Sequence, residues 1–124
     1  MSEIKTFEDL NCWIKGREIR IFISKLVKTF PEYEKFELSS QMRRASRSVT
    51  HNIAEGYGRF HYKENAQYCR MSRGSLYELL DQVITAQDEE YIDNNLYEEL
   101  RLMIMDCIKI LNGFINYLES AKNK

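Results

Sequence analysis

Arg43, Arg44 and Arg47 fall within about one helical turn, and Arg59, Lys63, Arg70 and Arg73 follow them along the chain. Guanidinium and ammonium groups at this density suit phosphate. Each contact to a nucleic-acid backbone releases condensed counterions, so affinity falls as salt rises. Tyr57, Phe60, Tyr62 and Tyr68 are interleaved with these cations, and aromatic rings in such a setting can stack on unpaired bases. The bland reading is a solvated basic face, or one that pairs with acidic side chains of a neighbouring subunit. Charge is spread unevenly. Residues 41–73 carry seven Lys or Arg against two acids, residues 74–124 carry four against ten, and residues 1–40 balance at seven each. A net charge of −1 and an isoelectric point near 6.1 thus conceal an electropositive and an electronegative region. That pattern suits either a polyanion or head-to-tail contact between copies.

Asn52 and Glu55 lie one turn apart, just before Gly56-Tyr57-Gly58. A carboxylate among arginines is expected to be ionised and pinned. The favoured reading is a structural network in which Glu55 pairs with Arg73 or Arg44 and Asn52 ties down backbone. General acid–base work needs a second carboxylate or a histidine, and Glu78 is the available partner. His51 follows Arg44 with six residues between. That spacing resembles the loose Arg-x(4–6)-His pattern of the helical HEPN ribonucleases, although a surface or interface histidine fits it as well. A Glu-x-x-His pair, an HExxH motif, a GxSxG motif and a glycine-rich phosphate loop are all missing. The expectation is therefore no catalytic residue, no metal and no cofactor. Cys12, Cys69 and Cys107 are odd in number and far apart. They suit buried reduced thiols better than a disulfide framework or a zinc site.

Hydrophobic spacing supplies the elements that must position these residues. Thr6 and Asp9 form a capping-box pattern before a helix over about 7–29, which Phe30-Pro31 ends. One of its apolar rows is Phe7, Leu10, Ile14 and Ile21; the other is Cys12, Ile19, Ile23, Leu26 and Phe30. So wide a stripe implies burial on two sides. In the loop 31–38, Tyr33, Phe36 and Leu38 are expected to fold back on the core. Ser39 is the expected cap of a second helix over about 40–57, with Met42, Ala45, Val49, Ile53 and Tyr57 inward and Gly58 as a left-handed terminal cap. A third helix over about 62–87 buries Ala66, Cys69, Leu76, Leu80 and Val83. Its mid-helix Gly74 implies close approach of the second helix. Asp93 caps a fourth helix over about 94–119, whose seam is Leu100, Ile104, Cys107, Leu111, Phe114 and Leu118. Leu102, Met105, Ile108 and Ile115 fall outside that seam and suggest a second contact. Strand signals are absent. Four helices with short loops predict one all-α domain over 1–124, an antiparallel up-down-up-down four-helix bundle. No apolar run nears the ~20 residues of a membrane span. The polar, acidic N-terminal stretch is not a targeting peptide, so a cytoplasmic protein without membrane contact is expected.

Several segments together resemble a known family: Arg43-Arg44-Ala45, Ser48-Val49, Asn52-Ile53-Ala54-Glu55-Gly56-Tyr57-Gly58-Arg59, and Arg73-Gly74-Ser75-Leu76-Tyr77-Glu78-Leu79. The opening Phe7-Glu8-Asp9-Leu10 followed by Trp13 fits as well. The family is the four-helix-bundle proteins encoded in intervening sequences of bacterial 23S ribosomal RNA genes. The resemblance runs from about Phe7 to Leu118. Thr50 departs from it, standing where the family often has proline. The resemblance implies a homopentameric barrel of antiparallel four-helix bundles. A related branch, the accessory protein of diversity-generating retroelements, binds nucleic acid through a positive surface and partners a reverse transcriptase; it is more basic than this chain.

These readings combine into a non-enzymatic homo-oligomeric scaffold or adaptor. It would contact RNA or DNA through a basic surface on the second and third helices, with an unidentified protein as a further partner. The alternatives are a purely structural oligomer whose basic and acidic regions pair between subunits, and a HEPN-like ribonuclease using Arg44 and His51.

Overall fold

A computed structural model describes residues 3–121. Four helices carry the fold: α1 (Asn11–Leu26), α2 (Leu38–Gly58), α3 (Tyr62–Asp88) and α4 (Asn94–Ser120), and no strand occurs among the described residues. Each helix packs on two neighbours, α1 on α2 and α4, and α3 on α2 and α4. Contacts between successive helices run in opposite directions. Arg59 meets Tyr68 where Ser48 meets Ser75, and Tyr62 meets Tyr117 where Gln87 meets Asn94. The chain is an all-α four-helix bundle. None of its helices is long and apolar enough to cross a membrane.

The inward rows close one contiguous core that includes Ile19, Ile23, Met42, Val49, Leu76, Val83, Ile104 and Leu111. The second apolar row of α1 joins this core, whereas Ile14 and Ile21 of the first row stay 42% exposed. On α4, Ile108 and Ile115 are buried, but Leu102 remains 64% exposed with Met105 beside it. So α1 and α4 each keep an apolar strip outside the core.

Several local expectations give way to other solutions. Asp9 accepts from the Thr6 and Lys5 amides, but the turn it caps is a single 3-10 turn over Phe7–Asp9, and α1 starts only at Asn11. Ser39 is not the cap of α2. The helix begins at Leu38, whose amide donates to Glu34 Oε1 at 3.2 Å, and Ser39 is buried within it. Leu38 folds back on the core, but Tyr33 and Phe36 do not. A 3-10 turn over Glu32–Glu34 directs the Tyr33 hydroxyl to that of Tyr91 at 2.9 Å, and the Lys35 ammonium covers the Phe36 ring. Asp93 does cap α4, accepting from the Leu96 amide at 2.8 Å.

Gly58 keeps helical geometry, and the left-handed residue at this turn is Phe60, with φ of 59°. The close approach of α2 to α3 is likewise not at Gly74, where an added Cβ would meet nothing within 4 Å. It is at Gly56. A Cβ there would lie 2.7 Å from Asn65 Oδ1 and 2.9 Å from Tyr68 Cβ. A polar seam continues this crossing: Ser72 donates to the Val49 carbonyl at 2.7 Å, Ser75 to Ser48 Oγ at 2.8 Å, and Asn52 to Ser48. These bonds leave the buried hydroxyls satisfied.

All three cysteines are free and buried. Burial pushes the Cys12 thiol up to about 11 and those of Cys69 and Cys107 to about 12. A thiol with a pKa near 11 is ionised in only about one molecule in a thousand at pH 8, and the thiolate is the nucleophile. A disulfide-exchange reagent at pH 8 should therefore label no cysteine in the folded chain and all three after denaturation. Fast labelling of the native protein would contradict this packing. The sign of the pH dependence follows. Raised thiol values stabilise the fold below pH 9, the ordinary thiol value. That contribution is lost as pH climbs from 9 through 11–12.

Candidate nucleic-acid interface

With Met42, Ala45, Val49 and Ile53 turned inward, helical spacing leaves Arg44, Arg47 and His51 on the outer face of α2, with Arg43 half-buried at its edge. Among the described residues, the side chains of Arg43, Arg44 and Arg47 enter no ion pair and no hydrogen bond. Among the described residues no carboxylate lies within ion-pair distance of them. Lys63, exposed on the first turn of α3, is unpaired in the same sense.

The other three expected cations are engaged. Arg59 pairs with Glu55 at 3.2 Å and Glu64 at 3.8 Å, donates to the Tyr68 hydroxyl, and lies over the Tyr68 ring. Arg70 pairs with Glu119 at 2.7 Å and Arg73 donates to Asn112 Oδ1 at 2.8 Å, so both are drawn to α4 and away from α2. The seven residues thus separate into an open arginine group on α2, an unpaired Lys63 and a neutralised Arg59 at the α2–α3 turn, and a pair bridging α3 to α4. The expected network of Asn52, Glu55, Arg73 and Glu78 is not assembled either. Glu55 takes Arg59, Arg73 takes Asn112, Asn52 takes Ser48, and Glu78 accepts weakly from Gln82 at 3.5 Å. Arg44 shares a depression of about 170 Å³ with Glu78, and His51 shares a separate one with Glu55 and Arg59. Arg44 and His51 are two turns apart, about 10 Å along the axis, and they line no common cleft.

The family model for the 23S rRNA-intervening sequence protein matches residues 8–113. This chain belongs to that family. No curated protein sequence matches it.

In this intervening-sequence protein, α1 adds two arginines that charge counting by segment misses. Gly16 lets α1 approach Val49 and Thr50 of α2. One turn further, Arg20 donates to Thr50 Oγ1 at 2.9 Å. Thr50 follows Arg43 and Arg47 on one helical stripe, so Arg20 joins their row. Arg17, exposed, lies over the Trp13 ring at 5.9 Å. Residues 1–40 balance in total, and only the positions of Arg17 and Arg20, three apart on one helical face, could have signalled this. Placing the second helix against the small-residue face of the third anticipated where Ser72 and Ser75 meet α2 but not the hydroxyl bonds they make there, because serine in a helix names no partner until its neighbour is known.

Proposed function

We propose that this intervening-sequence protein is a non-enzymatic adaptor, working as a homo-oligomer, that holds a nucleic-acid backbone along the outer face of α2. The observation that carries this reading is that Arg43, Arg44 and Arg47 stand together with no ion-pair or hydrogen-bond partner for their side chains among the described residues. A carboxylate three or four residues away would pair with such arginines, as Glu55 does with Arg59, and α2 offers none to Arg43, Arg44 or Arg47. Arg20 extends the row across the α1–α2 groove.

The strips left outside the core support assembly. That of α1 sets Ile14 and Ile21 among Arg17, Glu18 and Lys25, a net +1, and that of α4 sets Leu102 and Met105 among Glu98, Glu99, Arg101, Asp106 and Lys109, a net −1. Two unlike, complementary faces suit a head-to-tail ring, and the family resemblance implies five copies. Arg43, Arg44 and Arg47 lie on neither strip, so assembly through them leaves α2 open.

The test is binding of labelled single- and double-stranded RNA and DNA over a salt series, with light scattering on the same samples. Three to five phosphate contacts to a single strand should give a slope of about −2 to −3.5 in log affinity against log salt. Absence of binding at low salt, or binding indifferent to salt, overturns the reading. It then leaves the purely structural oligomer.

A further inference from the structure

At the end of the bundle where α1 and α3 start and α2 and α4 finish lies a cavity of about 630 Å³, within the range that takes small ligands. Tyr57 and Phe60 line it from the α2–α3 turn, and Tyr62 and Phe114 from α3 and α4. Its polar groups include the Asn65 amide, the His61 ring and the Asp9 carboxylate, whose Oδ2 already accepts the Lys5 and Thr6 amides, and neither lysine nor arginine lines it among the described residues. Asn65 is buried, with 7% of its surface exposed. Its Oδ1 accepts weakly from Cys69 Sγ at 3.5 Å, while its amide nitrogen has no partner among the described residues. Such a lining offers phosphate no lysine or arginine among the described residues. It suits an uncharged planar group whose edge can both accept from an amide and donate to a carboxylate.

Phe60 adds an independent observation. Its backbone is left-handed, with φ of 59°, and its ring is 81% exposed. Bulky residues rarely hold that conformation, and strained residues cluster at ligand clamps. The left-handed turn lets the Phe60 amide donate to the Tyr57 carbonyl at 3.3 Å, but a glycine would close it without strain, and the ring it carries stands in water at the mouth of the aromatic cavity. The stripe of α2 that begins with Arg43 and Arg47 continues through Thr50 and Ala54 to Tyr57, about 15 Å further along the axis.

We propose that this cavity takes one unstacked nucleobase from a single strand whose phosphates lie along the arginine row. The inference rests on the adaptor reading. Tyr57 and Phe60 supply stacking faces, and the Asn65 amide and Asp9 carboxylate meet the base edge. The phosphates stay outside with the arginines.

The experiment compares a single-stranded RNA of about 12 nucleotides with a strand of the same length lacking its bases. Wild type should bind the base-bearing strand about 10-fold more tightly. Phe60→Gly and Phe60→Leu should each erase that preference while leaving affinity for the abasic strand and the salt slope unchanged. Phe60→Gly should also melt at a higher temperature than wild type, because glycine adopts the left-handed conformation without strain. Equal binding of both strands with a normal salt slope overturns the base pocket and spares the adaptor. Binding of neither strand removes the adaptor, and this inference with it. A change in oligomer size on replacing Phe60 means that a neighbouring copy fills the cavity, and overturns the proposal as well.

Discussion

Gly56→Ala should destabilise the fold by about 3 kcal/mol, whereas Gly74→Ala should stabilise it by up to about 1 kcal/mol. Both glycines are helical, so both substitutions gain the helix propensity of alanine. The difference lies in what the new methyl meets. At Gly74 it meets nothing within 4 Å. At Gly56 it meets Asn65 Oδ1 at 2.7 Å, Tyr68 Cβ at 2.9 Å and the Asn65 carbonyl at 3.0 Å. Two of those atoms belong to or adjoin the α3 backbone, so the helix itself must move. Moving it stretches the Ser72–Val49 and Ser75–Ser48 bonds as well. Chemical denaturation of the two variants beside wild type checks this. Equal midpoints for the two would show that α2 and α3 cross elsewhere.

Arg43→Glu, Arg44→Glu and Arg47→Glu combined should lower nucleic-acid affinity by on the order of 10³ at low salt, with the melting temperature within a few degrees of wild type. The fold should lose little, because these side chains have no ion-pair or hydrogen-bond partner among the described residues, and surface replacements of that kind usually shift stability by less than about 0.5 kcal/mol each. The ligand loses three phosphate contacts and meets three new like charges. Arg70→Glu with Arg73→Glu is the contrasting pair. It removes two positive charges from the same basic stretch, against three in the α2 variant, but breaks the links to Glu119 and Asn112. Stability should fall by about 1 kcal/mol with only a small change in affinity. Binding isotherms and thermal melts on the two variants separate the cases. If the α3 pair abolishes binding and the α2 triple does not, the interface is on the other side of the bundle.

The fold was legible because the strongest signal in the sequence, apolar residues every three or four positions, is also what decides the core. Leu100, Ile104, Cys107 and Leu111 read as a seam and are one. Local geometry was less legible where two residues could solve the same problem. Glu34 reaches the first amide of α2 from outside the helix, so Ser39, a better cap by type, is free to be buried. Phe60 takes the left-handed turn although Gly58 stands two residues earlier. The site was legible by residue type alone. Seven cations could be counted, but their partners come from helices distant in sequence. Arg70 meets Glu119 across 49 positions and Arg20 meets Thr50 across 30. Only the bundle decides which charges cancel.

The α2–α3 crossing also orders events in time. Three residues, Arg59 to His61, join these helices, and closing so short a loop costs little chain entropy. Small side chains and inter-helix hydroxyl bonds then hold the pair. The two chain ends are different: the Cys107 thiol reaches the Cys12 carbonyl across 95 positions. The central hairpin should therefore form early and exchange its amide hydrogens last, with α1 and α4 docking onto it afterwards. The late-docking helices are the ones that carry the apolar strips. A neighbouring subunit gripping those strips would hold shut the part of the molecule that opens first, so assembly would slow unfolding and lengthen the native lifetime.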